Sequence, residues 1–145
     1  MQTKFARDLE RGQYFEKKMT PYIAPDTIVA YAPDKVWTKW DISGARYTYE
    51  VKADFMCLQT GNIYVEYESN NKPSGFLNTE AEYFLFVVVK SNGSKFGDVF
   101  RVFKVPTLDL AGICIGKKSV WGGDRGLTRG YLLKMSDLAE YECKI

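Results

Sequence analysis

The stretch DISGARYTYEVKAD, residues 41–54, decides the fold. Successive strand side chains point to opposite faces, so Glu50, Lys52 and Asp54 share one face and Tyr49, Val51 and Ala53 the other. The second face suits a core. The first sets a carboxylate, an ammonium and another carboxylate in a row, with Asp41 nine residues before Glu50. A hairpin centred between Ala45 and Arg46 brings Asp41 opposite Glu50. Its four-residue loop, residues 44–47, sets Ser43 across from Thr48 and Ile42 across from Tyr49, with Gly44 supplying backbone freedom. In that register the two carboxylates are cross-strand neighbours about 5 Å apart at Cβ. They repel and raise each other's pKa unless a cation lies between them, and a hard, oxygen-seeking ion such as Mg²⁺ or Mn²⁺ suits them. Lys52, two residues on, can neutralise a scissile phosphate or hold the attacking water.

The remaining composition narrows the chemistry. A chain of 145 residues fits one domain, residues 1–145, and 46% hydrophobic content supplies a core rather than disorder. The N-terminal nineteen residues are charged throughout, and the longest apolar run, YFLFVVV at 83–89, is far too short to span a bilayer. The expectation is a soluble cytoplasmic protein with no membrane partner. Cys57, Cys114 and Cys143 are odd in number and widely spaced, as free thiols in a reducing compartment would be. Histidine is absent. That excludes Ser-His-Asp and Cys-His hydrolases, histidine-ligated zinc and any histidine base, leaving carboxylates, lysine and a hard metal for hydrolysis.

Periodicity organises the rest. A helix is expected over residues 3–19, with Phe5, Leu9, Gly12, Glu16 and Met19 on one stripe and Pro21 and Pro25 ending it. Strands are expected in KVWTKWDI, RYTYEVKADF, NIYVEYE, FLFVVV, DVFRVFKV and GYLLKM. Thr60-Gly61-Asn62 reads as the turn joining the second and third of these, and Ser91-Asn92-Gly93-Ser94 as the turn before DVFRVFKV. NNKPSGF reads as a loop, LNTEAEYF as a short helix capped by Asn78 or Thr79, PTLDLAGICI as another helix, and Ser136 as the cap of a final turn. This order argues a mixed sheet flanked by helices.

Asp41 followed by Glu50-x-Lys52 resembles the PD-(D/E)XK nuclease superfamily. EVKAD, TGNIYVEYE, KPSGFLNTEAEYF and VWGGDRGLTRGYLL are similar to its phage-encoded and Holliday-junction-resolvase-like branches, from about Arg11 to Leu133. The resemblance implies an α/β restriction-endonuclease-like fold with an αβββαβ core. It also implies Mg²⁺ (or Mn²⁺) held by Asp41, Glu50 and the Val51 carbonyl, and hydrolysis of DNA, branched DNA included. A glutamate from the first helix, here Glu16, would join the site, where an ionised carboxylate on an apolar stripe is costly unless it is paired or on a metal; the alternative is that the last turn reaches solvent and Glu16 simply extends into it. The motif's proline is missing, because Trp40 precedes Asp41. Pro33-Asp34 and Pro25-Asp26 carry literal Pro-Asp pairs, so Asp34, across a longer loop, is the alternative acid.

Charge suggests where DNA would run. Residues 54–82 hold Asp54, Glu66, Glu68, Glu80 and Glu82 against Lys72 alone, whereas residues 90–134 are strongly basic. An acidic patch beside a basic segment fits a metal site beside a polyanion track, or two ordinary solvated surfaces. Lys117, Lys118, Arg125 and Arg129 around Trp121 suit phosphate contact and base stacking, though Trp121 equally suits a core. Ser74 and Thr79 are backbone-contact candidates or simple turn residues, and Glu66 is either an outer metal ligand or a solvated edge. A homodimer would provide the two sites that two cuts in a duplex need. The rival reading is a catalytically silent DNA-binding or assembly module.

Overall fold

A computed structural model describes residues 2–34, 39–93 and 95–144. The helices are α1 (Lys4–Lys17), α2 (Thr20–Ile23), α3 (Cys57–Thr60) and α4 (Thr107–Cys114). The strands are β1 (Ile28–Tyr31), β2 (Ile42–Gly44), β3 (Thr48–Asp54), β4 (Ile63–Ser69), β5 (Lys72–Pro73), β6 (Tyr83–Lys90), β7 (Asp98–Pro106), β8 (Ser119–Gly122) and β9 (Thr128–Leu133). Short 3₁₀ turns occupy Gly75–Leu77, Asp124–Gly126 and Met135–Tyr141. The chain is therefore mixed α/β. No helix among the described residues is long and apolar enough to cross a membrane.

The central sheet runs β1-β2-β3-β6-β7, mixed because β3 and β6 are parallel while its other neighbours are antiparallel. Ile42 pairs with Tyr49 and Ser43 with Thr48, the register expected from the turn. β6 is buried on both faces, which is why it reads as an unbroken apolar run. Leu85, Val87 and Val89 pack with Phe15, Met19 and Ile23 of the N-terminal helical segment and with Ile42 and Tyr49. Phe84, Phe86 and Val88 face the other way, onto Ile63, Val65 and Leu133 of a second, antiparallel sheet ordered β5-β4-β9-β8. Leu110 and Cys114 of α4 close that second core. All three cysteines are free.

Several expectations change. Helix α1 starts where expected, with Thr3 Oγ1 accepting the Ala6 N–H at 3.0 Å. Its buried residue is Phe15, continued by Met19, whereas Leu9 is 42% exposed and Glu16 half-buried. The Phe5 side chain lies outside the described residues. Pro21 opens α2 instead of ending helix, since the first turn has no use for its missing N–H. The strand expected in KVWTKWDI begins only at Ile42, and Val36, Trp37 and Thr38 lie outside the described residues, as does Ser94. β3 and β4 form no hairpin: α3 intervenes, ended by Gly61 in the left-handed region, and β4 departs to the second sheet. Residues 78–82 are not helical. There Thr79 Oγ1 accepts the Ala81 N–H and Glu82 N–H bonds the Thr48 carbonyl, so tertiary pairing overrides a weak cap signal. At the last turn Asp137, not Ser136, accepts the Lys134 N–H. β1, β5 and β8 join the sheets without having been expected as strands.

A buried carboxylate sets the β2–β3 hairpin. Asp26 accepts hydrogen bonds from the Thr27, Arg46 and Tyr47 amides at 2.9, 2.8 and 3.0 Å and from the Tyr49 hydroxyl at 2.7 Å. Burial alone would raise its pKa, but these donors outweigh it and hold the carboxyl below its ordinary value. Gly44 is required for this clamp and not for a positive φ, because a Cβ there would run into the Asp26 carboxylate. Asp26→Ala would leave several buried donors unpaired, each costing about 1–3 kcal/mol. Chemical denaturation should show it among the most destabilising single changes, with Gly44→Ala nearly as severe; stability within about 0.5 kcal/mol of the parent would refute the clamp.

Candidate active site

Three elements deliver the carboxyl groups. Asp41 immediately precedes β2, where its N–H bonds the Tyr49 carbonyl at 2.9 Å, and its Oδ2 accepts the Val51 N–H at 2.8 Å. The ladder thus fixes both its backbone and its side chain beside β3. Glu50 stands on the β3 face turned away from α1, with its side chain 16% exposed. Its Oε1 accepts from Thr79 Oγ1 at 3.2 Å, and its Oε2 lies 3.6 Å from the Lys52 ammonium. Glu16 of α1 has its carboxylate beside Gly12 and feels the charges of Asp41 and Glu50.

The electrostatics follow from this crowding. Burial first, then the Asp41 charge, push the Glu50 carboxyl up to about 7, against the lowering influence of Lys52 and Thr79. Burial, then Asp41 and Glu50, push Glu16 up to about 7 as well. Neighbouring carboxyls that retain protons near neutrality are what an acid cluster shows without a cation between its members. The donor chemistry, all hard oxygen, fits Mg²⁺ or Mn²⁺. Among the described residues, however, no three acidic, histidine or cysteine side chains stand close enough together to form a ready coordination shell.

The remaining candidates divide. Asp34 is exposed and contributes to the pKa of neither Glu16 nor Glu50. Asp54, on the Glu50 face, is structural: it accepts the Met56, Cys57 and Tyr64 amides. Thr79 meets Glu50 and the Lys39 carbonyl, so its expected backbone-contact role becomes an orienting one. The Ser74 Oγ is shut off from solvent without a hydrogen-bond partner, and in this conformation it does not meet a phosphate. Glu66 lines a cavity of about 530 Å³ that also takes in Lys52, Phe84 and Phe86.

The basic segment is less uniform than its sequence. Lys95, Arg101, Lys117 and Arg129 are drawn into ion pairs with Glu10, Glu142, Asp137 and Glu68. Lys118 and Arg125 are exposed. Trp121 is 61% exposed on β8, so the core alternative does not hold for it. The Arg129 guanidinium lies over both the Trp121 and Tyr67 rings, 5.1 and 5.6 Å from their centroids. An exposed indole braced by a cation is a surface on which a flat ring can stack. Thr79 and Asp26 are residues whose roles sequence reasoning missed, Thr79 holding Glu50 and Asp26 clamping the hairpin; their partners lie far along the chain, and no local spacing signals either role.

The raised carboxyls predict the pH dependence of stability. Between the unfolded value of 4.5 and about 7, the folded state holds protons on Glu16 and Glu50 that the unfolded state has released. Stability therefore falls as pH rises through that window and levels above it. Without metal, Tm should drop from pH 5 to 7.5, and Glu50→Gln should flatten the drop. Mg²⁺ should raise Tm at pH 8, as a ligand of the folded state does. A parent profile as flat as the variant's would show the carboxyls to be independent. The chain matches no protein-family model, no curated protein and no solved structure, so the reading of this site rests on its own geometry.

Proposed function

We propose that the chain is a Mg²⁺-dependent endodeoxyribonuclease with a restriction-endonuclease-like αβββαβ core, acting on DNA that includes branched forms. The observation that carries this reading is that the Asp41 charge, at the start of β2, acts on both Glu16 of α1 and Glu50 of β3, with Lys52 of the same strand 3.6 Å from Glu50. The order α1, β1, β2, β3, with β6 parallel to β3, supports the core. Its departure is that α3, β4 and β5 stand where the core's second helix would be.

Asp41, Glu50 and the Val51 carbonyl would hold the cation, with Glu16 completing the acidic surround. A bound Mg²⁺ or Mn²⁺ supplies positive charge against the scissile phosphate. Thr79 holds one Glu50 oxygen, restricting its rotation, while Lys52 faces the other and is 44% exposed, free to meet a phosphate oxygen or position water. The acidic face repels a phosphate backbone, so affinity for DNA comes from elsewhere, through Lys118, Arg125 and the Trp121–Arg129 platform. Lys117 contributes less, being held by Asp137. Two cuts in one duplex would engage two copies of the chain. The carboxyls' failure to close into a shell favours a second reading, a silent DNA-binding module.

Incubation with plasmid and a labelled four-way junction, with and without Mg²⁺ or Mn²⁺, separates the two. Asp41→Asn, Glu50→Gln and Lys52→Ala should each lower the cleavage rate at least about 10²-fold with folding retained. Asp34→Asn should cut like the parent. Equal cleavage by all the site variants would sink the assignment, and metal-independent binding without cleavage on any substrate would support the silent module.

Binding is predicted separately. Neutralising Lys118 and Arg125 should weaken DNA binding and flatten its salt dependence, by about 0.9 in the slope of log K against log salt for each lost duplex phosphate contact. Asp41→Asn with Glu50→Gln should preserve or tighten metal-free binding. An unchanged salt slope in the basic-residue variant would place the DNA on another surface.

A further inference from the structure

The cavity beside Lys52 has features that phosphodiester hydrolysis alone does not need. It measures about 530 Å³, well within the roughly 300–1,000 Å³ of small-molecule sites. Its floor is Phe84 and Phe86 of β6, each only 2% exposed, its sides are Tyr64 of β4 and Leu132 of β9, and Lys52 opens it toward Glu50. The Phe84 and Phe86 rings stack on each other at 5.5 Å and 22°. Tyr64 is pinned by its hydroxyl to Thr128 at 2.7 Å and lies over Gly130, where a side chain would clash with its ring. These walls are rigid before anything binds. Into the same space projects the Glu66 strand face, and the Glu66 carboxylate takes part in no hydrogen bond or ion pair among the described residues.

That combination selects its occupant. A phosphate is rejected by apolar walls and by the Glu66 charge. A neutral, flat ring with amino groups on its edge satisfies both, stacking on the Tyr64 ring and donating to Glu66. The geometry points to a nucleobase pocket: one base of the strand lying against Lys52 leaves its stack and enters the cavity, with its amino edge read by Glu66. This rests on the reading of the Asp41–Glu50–Lys52 surface as a DNA site and specifies the substrate. Taking a base out of a duplex has an unstacking cost that is smallest for an unpaired or mispaired nucleotide. Single-stranded, bulged or mismatched positions are therefore the preferred ones. Among bases, those with an exocyclic amino group, cytosine, adenine and guanine, are preferred over thymine.

The test reads binding without metal, by fluorescence anisotropy of a short labelled single-stranded oligonucleotide carrying one abasic site at each position in turn. With the parent protein, one position should stand out, its loss of a base weakening binding about five- to hundredfold, the range of base–aromatic stacking. At that position thymine should bind worse than the other bases, and Glu66→Gln should level the difference. Met56, 55% exposed at the cavity's edge, can be enlarged without disturbing the core. Met56→Trp should make the scan insensitive to the marked position. A scan with equal small losses everywhere, one unaltered by Met56→Trp, or no binding to single strands would overturn the pocket. A marked position in a protein that cuts nothing with Mg²⁺ would keep the pocket and remove the nuclease, whereas cleavage with a flat scan would do the reverse.

Discussion

Asp26 is the group on which the site's geometry depends. Three amides and a phenol converge on one buried carboxylate, tying the start of β1 to the loop of the β2–β3 hairpin. The Ala45 N–H, bonded to the Thr27 carbonyl, reinforces the tie. A two-stranded hairpin has little register preference of its own, and a slip of one residue turns every side chain to the other face. Here the slip would carry Glu50 and Lys52 into the packing against α1 and expose Tyr49. The clamp forbids it by holding both the loop and the Tyr49 hydroxyl. One of the two literal Pro-Asp pairs, Pro25-Asp26, thus serves the acids farther along the chain by placing them.

Once placed, those acids sit in an unfavourable surround. Glu50 has one oxygen on Thr79 and the other only loosely approached by Lys52, and it faces Asp41 with limited solvent. Folding for stability alone would favour an apolar pair here, since like charges in a partly buried setting destabilise. Arrangements of this kind cluster where chemistry is done, because a field that penalises bare carboxylates rewards a cation. Asp41 adds a mechanical element. Its Oδ2 is already bonded to the Val51 amide, so the oxygen left for other duties has a defined direction.

Much of this was legible in the sequence wherever the determinant was local. The alternation of residues 49–54 gave the two faces of β3, and counting back from Glu50 gave the Ile42–Tyr49 register. The apolar run of β6 as a strand and the start of the first helix near Thr3 were equally plain. What escaped was decided across the chain. β1 has an exposed, weakly patterned strand that becomes one only by pairing with β2. Thr79 looked like a helix cap because Asn, Thr, Glu and Ala follow in the right order, yet its hydroxyl is claimed by Glu50 and Lys39. NIYVEYE read correctly as a strand, but strand character does not name the sheet it joins. Glu16 was expected on an apolar stripe, whereas it lies beside one, half-buried, with Phe15 taking the inward position.

The two sheets are interleaved along the chain. Glu50 of β3 pairs with Phe84 of β6 only after the chain has left to lay down β4 and β5, and β4 in turn waits for β9, beyond β7 and α4. Neither sheet can be completed from a continuous stretch, so neither can be excised as an autonomous piece. Closure of such loops precedes the contacts that stabilise them, which makes the contact order high and folding slow for a chain of this size. During synthesis β3 and β4 emerge together with unpaired edges, and both stay open until later segments arrive. An assembling chain of this topology relies on the charged residues of β3 and on the early Asp26 tie to keep those edges from pairing with a neighbour.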